Sequence, residues 1–298
     1  MTSRSHDRSH FFKYTSYETA KLVIENKSFR WSSPVHFNDP FDHQTGFAVH
    51  IDGEQFARLL TESLERVVYS NIRVQTGHSD LAALSLHLRA IRHKLPREQF
   101  RKDMYEDSLE SAKNIHRHMD DLSAAVNKQL CHSRVFCVSE VGDNVVMWSH
   151  YGEQHRGVVF QLGCVEELDH PLLIARPVSY ADAFVPFLTA EEYAMHLTGE
   201  RPIDMAELIW KIAYTKHADW SYEREWRLHR PLVDQPAGDG YSIVSEDDRV
   251  FEAVYLGCRM PEEHVAEMTA LVRRHLPDTR IFCGRKDTRS FSLVFEEV

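Results

Sequence analysis

From about residue 53 to residue 130 the chain carries no strand signal, and this uninterrupted helical stretch constrains the fold more than any other feature. Phe56, Leu59, Leu60, Leu64, Val67 and Val68 recur at helical spacing, and the runs from Ser79 to Lys94 and from Arg97 to Leu130 behave the same way. On either side the pattern changes. Short strands are predicted at Phe11 to Thr15, Ser28 to Ser33 (stopped by Pro34), Arg134 to Ser139, Gly157 to Gln161, Leu172 to Tyr180, Trp220 to Arg230, Val250 to Tyr255, Arg280 to Cys283 and Phe291 to Phe295. Ser16 fits the N-cap of a helix through Ala20, Leu22, Val23 and Ile24; further helices fit Met205 to Lys216 and Pro261 to His275, with Pro261 at the first helical position. Many strands with short crossovers predict an α+β protein: a mainly antiparallel, twisted sheet in one domain spanning 1–298, with a helical insertion at approximately 53–130.

A chain of 298 residues, 43% hydrophobic and 27% charged, has the material for a large core. A formal net charge of -10 argues against bulk attraction to nucleic acid or anionic membrane and leaves room for a local basic groove. No apolar run approaches the roughly 20 residues that span a bilayer, and Met1 to His10 is polar, so the expectation is a cytoplasmic protein with no membrane partner. Cys131, Cys137, Cys164, Cys258 and Cys283 form no C-x-x-C pair and read as small, partly buried hydrophobes.

Four segments carry chemistry. If Trp220 to Leu228 is one strand, its period of two places Glu223, Glu225 and Arg227 on one face and Tyr222, Trp226 and Leu228 on the other, interrupted by Arg224. Carboxylates two apart on one face repel, so folding alone gives little reason to choose them; the bland alternative is an amphipathic edge strand neutralised by Arg227. Phe37-Asn38-Asp39-Pro40-Phe41-Asp42 reads as a rigid anchored loop. Met147 to Gly157 holds Trp148, Tyr151, His150 and His155, either as a helical turn that plugs the core or as an aromatic floor for a planar ring. Arg89, Arg92, Lys94, Arg97, Arg101 and Lys102 face the single Glu98, which makes a solvated helix face or a phosphate-contacting edge. Phosphate-loop, dinucleotide, zincin and nucleophile-elbow motifs are absent, and the nineteen histidines show no helix pair at metal-ligand spacing.

Lys13-Tyr14, the segment from Phe37 to Asp42, Met147-Trp148-Ser149-His150-Tyr151 with Gly157, and the segment from Tyr222 to Arg227 together resemble an uncharacterised bacterial family, domain of unknown function 2971. More distantly the chain resembles ADP-ribosyltransferases, including those acting on nucleic acid. Phe12-Lys13-Tyr14-Thr15 stands where those enzymes open with an aromatic residue, a His and a Thr or Ser, and Lys13 replaces the His or Arg. That resemblance implies NAD as substrate, an ADP-ribosyltransferase-like fold, and transfer of ADP-ribose to a nucleic-acid or protein acceptor, or hydrolysis of NAD. Glu225 would stabilise the oxocarbenium ion and Glu223 would complete an E-x-E pattern. Arg227 or Lys13 would meet the pyrophosphate and Tyr14 or Tyr151 would stack on nicotinamide; Thr15, Ser32, Asn38, Asp39 and His150 complete the implied NAD contacts, and no metal is required. Two rival expectations are a metal-assisted nuclease or hydrolase using Asp39, Asp42, Glu223 and Glu225, and a non-catalytic ligand-binding module.

Overall fold

The computed structural model describes residues 4–43, 51–77, 79–183, 188–232 and 238–298. They group into two compact units: Met1–Gln44, Leu130–Asp182 and Tyr214–Val298 form one, Thr45–Gln129 and Ala183–Ala213 the other.

The first unit holds β1 (His10–Thr15), β2 (Ser28–Ser32), β3 (Ser133–Ser139), β4 (Val158–Gly163), β5 (Arg176–Pro177), β6 (Ser179–Ala181), β7 (Thr215–His217), β8 (Glu225–Pro231), β9 (Tyr241–Ser245), β10 (Phe251–Leu256), β11 (Arg280–Lys286) and β12 (Leu293–Glu297). Ten of these make one sheet in the order β12-β11-β10-β4-β1-β3-β2-β9, with β8 paired to β3 and β5, while β6 and β7 pair separately. Among the described residues only β10 with β11 runs parallel within the large sheet, so the fold is mixed α+β around a mostly antiparallel sheet. β4 is buried along its whole length. Its period of two sends Val158, Phe160 and Leu162 into the main core, beneath the helices Tyr17–Asn26 and Glu262–His275, and Val159 into a second cluster with Tyr14, Met147 and Trp148. Beside this well-paired centre the sheet parts: β1 meets β3 at the single pair Phe12 and Ser139, and β2 meets β3 only at Ser32 and Val135, whereas β3 pairs with β8 from end to end. The site lies where the strands separate.

The second unit contains the helices Gly53–Tyr69, Asp80–Ala90 and Arg97–Ala112 and all but the last two residues of Ile115–Cys131, as the periodicity predicts, together with Ala190–Thr198 and Met205–Ala213. Phe56, Leu60, Leu64, Val67 and Val68 are buried, and Asp52 caps the first helix by accepting from the Gln55 amide at 2.7 Å. The arginines of the basic run are absorbed within their own unit. Arg89 donates to the Val67 and Ile72 carbonyls at 2.7 and 2.9 Å, Arg92 reaches the Val68 and Ser70 carbonyls, and Arg97 pairs with Glu65 at 2.5 Å. Among the described residues no helix is long and apolar enough to cross a membrane.

Local chemistry overrides several expected elements. Trp220 to Leu228 is not one strand: Ala218–Glu223 forms a 3-10 turn, Arg224 takes the left-handed conformation at φ 44°, and β8 starts at Glu225. A left-handed non-glycine residue costs about 1–2 kcal/mol, a cost met here by hydrogen bonds on both sides: the Arg224 amide donates to the Ser221 carbonyl and its carbonyl accepts from Glu140. Leu172 to Tyr180 is not one strand: with Pro171 before it and Pro177 within it, it divides into a 3-10 turn, Pro171–Ile174, followed by β5 and β6. The helix from Met205 stops at Ala213 and Lys216 lies in β7. Pro261 caps the helix Glu262–His275 from outside its first turn.

Candidate functional site

Where β1 and β3 separate, a cavity of about 420 Å³ opens in the first unit. β1 contributes Lys13 and Tyr14, β3 contributes Cys137 and Ser139, the helix Val145–His150 and the residue after it contribute His150 and Tyr151, and the Phe37–Asp42 loop contributes Asn38 and Asp42. Lys216, Glu223 and Glu225 close the floor.

Three residues fix these walls to one another. Asn144 caps its helix by accepting from the Val146 and Met147 amides at 2.9 and 3.1 Å, and its amide nitrogen donates to the Tyr222 carbonyl, which ties the helix to the turn that presents Glu223. Trp148, fully buried, donates from its indole to the Gly142 carbonyl at 2.9 Å. Gly157 lets the returning chain press against β1, because a Cβ there would stand 2.2 Å from the Thr15 carbonyl oxygen.

The floor is a buried charge network. Arg227, 1% exposed, grips Glu225 through Nε at 2.6 Å and Nη2 at 2.9 Å, and Asp42 through Nη1 at 2.9 Å and Nη2 at 2.5 Å. Lys216 donates to Glu223 at 2.6 Å and Glu225 at 3.1 Å, with Asp42 at 3.8 Å. Tyr151 donates from its hydroxyl to the other Glu223 oxygen at 2.6 Å and accepts from the Asn38 amide at 3.3 Å. His43 stands against Asp42 at 2.8 Å.

These contacts drive two neighbouring carboxyls in opposite directions. Burial alone would raise Glu225, but the Arg227 guanidinium and the Lys216 ammonium outweigh it and hold Glu225 far below the usual carboxylate range. At Glu223 burial prevails, Lys216 offsets it only in part, and the Glu225 charge adds to it, so its carboxyl is raised. Asp42 follows Glu225: burial is overcome by Arg227 and the His43 hydrogen bond, and its carboxyl is lowered. The Tyr151 hydroxyl is pushed up by burial and by Glu223. One carboxylate is therefore kept ionised while its neighbour can exchange a proton.

Of the residues singled out in the sequence, Lys13, Tyr14, Asn38, His150, Tyr151, Glu223 and Glu225 line the cavity. Arg227 lies behind the floor and reaches it through Glu225. Thr15, Ser32 and Asp39 are not on its walls. Thr15 and Ser32 pair in the sheet with Val158 and Val135, and Asp39 is buried with its carboxylate accepting from the Phe41 amide at 2.8 Å, which braces the loop. Tyr14 stands edge-on to Trp148 and donates to the Val141 carbonyl at 2.9 Å. The carboxylates of the metal-assisted alternative thus face cations or a backbone amide, and among the described residues no group of three His, Cys, Asp or Glu side chains is placed to hold a metal ion. Lys216, Arg30 and His36 also line the cavity without having been singled out. Arg30 left one trace: a charge between Phe29 and Trp31 in a strand must face away from the core.

Residues 147–228 match the family described as "Protein of unknown function (DUF2971)". The matched segment runs from Met147 to Leu228 and includes His150, Tyr151, Lys216, Glu223, Glu225 and Arg227. Neither the curated proteins nor the solved structures contain a match to this chain.

Proposed function

We propose that this protein binds NAD in the cavity and cleaves the bond between nicotinamide and ribose, passing ADP-ribose to a nucleic-acid or protein acceptor or to water. The observation that carries the reading is the pair of carboxyls at the floor of one cavity, Glu225 held ionised and Glu223 raised. Cavities of a few hundred Å³ are the usual size for cofactor-sized ligands. Aromatic walls at Phe12, Phe37 and Tyr151 suit a planar ring.

In this reading the C1'–N bond breaks with its electron pair retained by nicotinamide, which becomes neutral as positive charge develops on the ribose. Glu225, fixed by Arg227 and Lys216, supplies a preorganised negative charge to that oxocarbenium ion without having to lose a proton first. Glu223 accepts the proton released when the acceptor oxygen or nitrogen attacks C1', with Tyr151 and Lys216 holding its two oxygens.

The test is nicotinamide release from NAD by purified protein, with and without DNA, RNA and protein acceptors, alongside calorimetric titration of NAD. Glu225→Gln keeps shape and removes charge, so turnover should fall about a hundredfold or more. Neither release nor NAD binding in the unsubstituted protein would sink the proposal. NAD binding without turnover would leave a ligand-binding module, and full activity in Glu225→Gln would move the chemistry elsewhere.

A further inference from the structure

The floor of the cavity balances three carboxylates, Asp42, Glu223 and Glu225, against Arg227 and Lys216. Its other cations have no such partners. Lys13 and Arg30 both line the cavity, and among the described residues neither has a carboxylate within ion-pair distance. Lys13 donates one hydrogen bond, to the Cys137 carbonyl at 2.6 Å, and lies 4.8 Å from the centre of the Phe136 ring. Arg30 is exposed on β2, with its guanidinium 6.0 Å from the Tyr241 ring centre. Burial lowers the Lys13 ammonium; Cys137 and Glu225 offset this in part, and Arg30 is close enough to oppose the charge and add to the lowering. His36 completes this side. It is held against the β9 turn by a 3.3 Å hydrogen bond to the Asp239 carbonyl, where Gly240, at φ 79°, leaves room that a Cβ 2.2 Å from the imidazole would take away.

Two cations that repel each other at the edge of a cavity, each with donors to spare, have the makings of an anion site. We propose that Lys13 and Arg30 form a phosphate subsite, and that the ligand lies with its phosphate or diphosphate against them and its hydroxylated pentose against Glu223 and Glu225. The proposal deepens the NAD reading and rests on it for the pentose, whereas the demand for an anion stands on the cavity alone. Its consequence is selectivity: a nucleotide binds more tightly than the corresponding nucleoside.

Calorimetric titration of ADP and of adenosine into the full chain tests this. ADP should bind at least about tenfold more tightly than adenosine, with an affinity that falls as salt rises, and Arg30→Gln should lower ADP affinity by about ten- to a hundredfold while leaving adenosine unchanged. Arg30→Glu should lose more than Arg30→Gln. Since Arg30 is exposed, both variants should keep the native circular dichroism spectrum and melting temperature. Equal affinities for ADP and adenosine, no binding of ADP, or an Arg30→Gln that weakens both ligands alike or neither would overturn the subsite. ADP discrimination without nicotinamide release would keep the subsite and end the NAD-cleavage reading; nicotinamide release with equal ADP and adenosine affinities would do the reverse.

Discussion

Two clusters of positive charge in this protein contrast sharply. The run from Arg89 to Lys102 is the conspicuous one in the sequence, yet Arg89 and Arg92 are turned onto carbonyls near the end of the first long helix of their unit, and Arg97 and Arg101 lie against Glu65. Lys13 and Arg30, seventeen positions apart and individually unremarkable, meet at one cavity and, among the described residues, neither is ion-paired to a carboxylate. Density of charge along a chain measures how much compensation lies nearby. Packing one helix against another supplies these arginines with the open carbonyls at a helix end and with a carboxylate, while the cations that strand pairing brings together at the cavity meet no such ion-pair partner. A cation left unpartnered beside a cavity is the better sign of a ligand.

The sharpest way to separate committed cations from unpartnered ones is to delete one of each and measure stability. Arg227→Met removes the guanidinium from between Asp42 and Glu225, leaving both carboxylates buried, and should cost about 3–5 kcal/mol in urea unfolding. Arg30→Gln should change the same measurement by less than about 0.5 kcal/mol. A smaller loss at Arg227 would mean that water or rearrangement relieves the floor.

Acid should act on the same network with less force, because a proton removes charge without opening a hole. Asp42 and Glu225 have lowered carboxyls, so their stabilisation is fully present above the ordinary carboxylate range near about pH 4 and is lost as the pH falls through and below it. Glu223, raised, works the other way: its proton favours the folded state as pH drops. Melting temperature should therefore decline between about pH 5 and pH 3, and Asp42→Asn, less stable at pH 7, should show a shallower decline. A steeper decline in Asp42→Asn would contradict the assignment of Asp42 to Arg227.

Elements governed by local periodicity were legible in the sequence. β1, the Ser16 cap, β4 and the helices from Gly53 to Cys131 follow from patterns within a few residues. The meeting of Glu223 and Glu225 was also legible, although not for the expected reason: a left-handed Arg224 separates a 3-10 turn from β8, and Lys216 brings the two side chains together, where a continuous strand face had been expected. Lys216 itself was hidden because the helical run before it gave no warning of its stop at Ala213. Arg30 was hidden because nothing local says which strand will part from which. Thr15 and Ser32 are spent on sheet pairing, and Asp39, expected in a rigid anchored loop, braces that loop and does not line the cavity.

Within the basic run itself the contrast can be refined further. Arg89 is part-buried where it serves the Val67 carbonyl in the last turn of its helix and the Ile72 carbonyl just beyond, so Arg89→Ala should cost about 1–3 kcal/mol, as expected for leaving acceptors away from solvent unsatisfied. Arg97 is exposed beside Glu65, and Arg97→Ala should cost only about 0.2–1 kcal/mol, because solvent screens the pair and two long side chains regain their freedom. Salt decides between the two mechanisms. In urea titrations at low and at molar salt the Arg97 effect should shrink toward zero, while the Arg89 effect, which rests on hydrogen bonds to backbone, should persist. If both disappear together, the run is a screened surface after all, and the commitment of its arginines would no longer set them apart from Lys13 and Arg30.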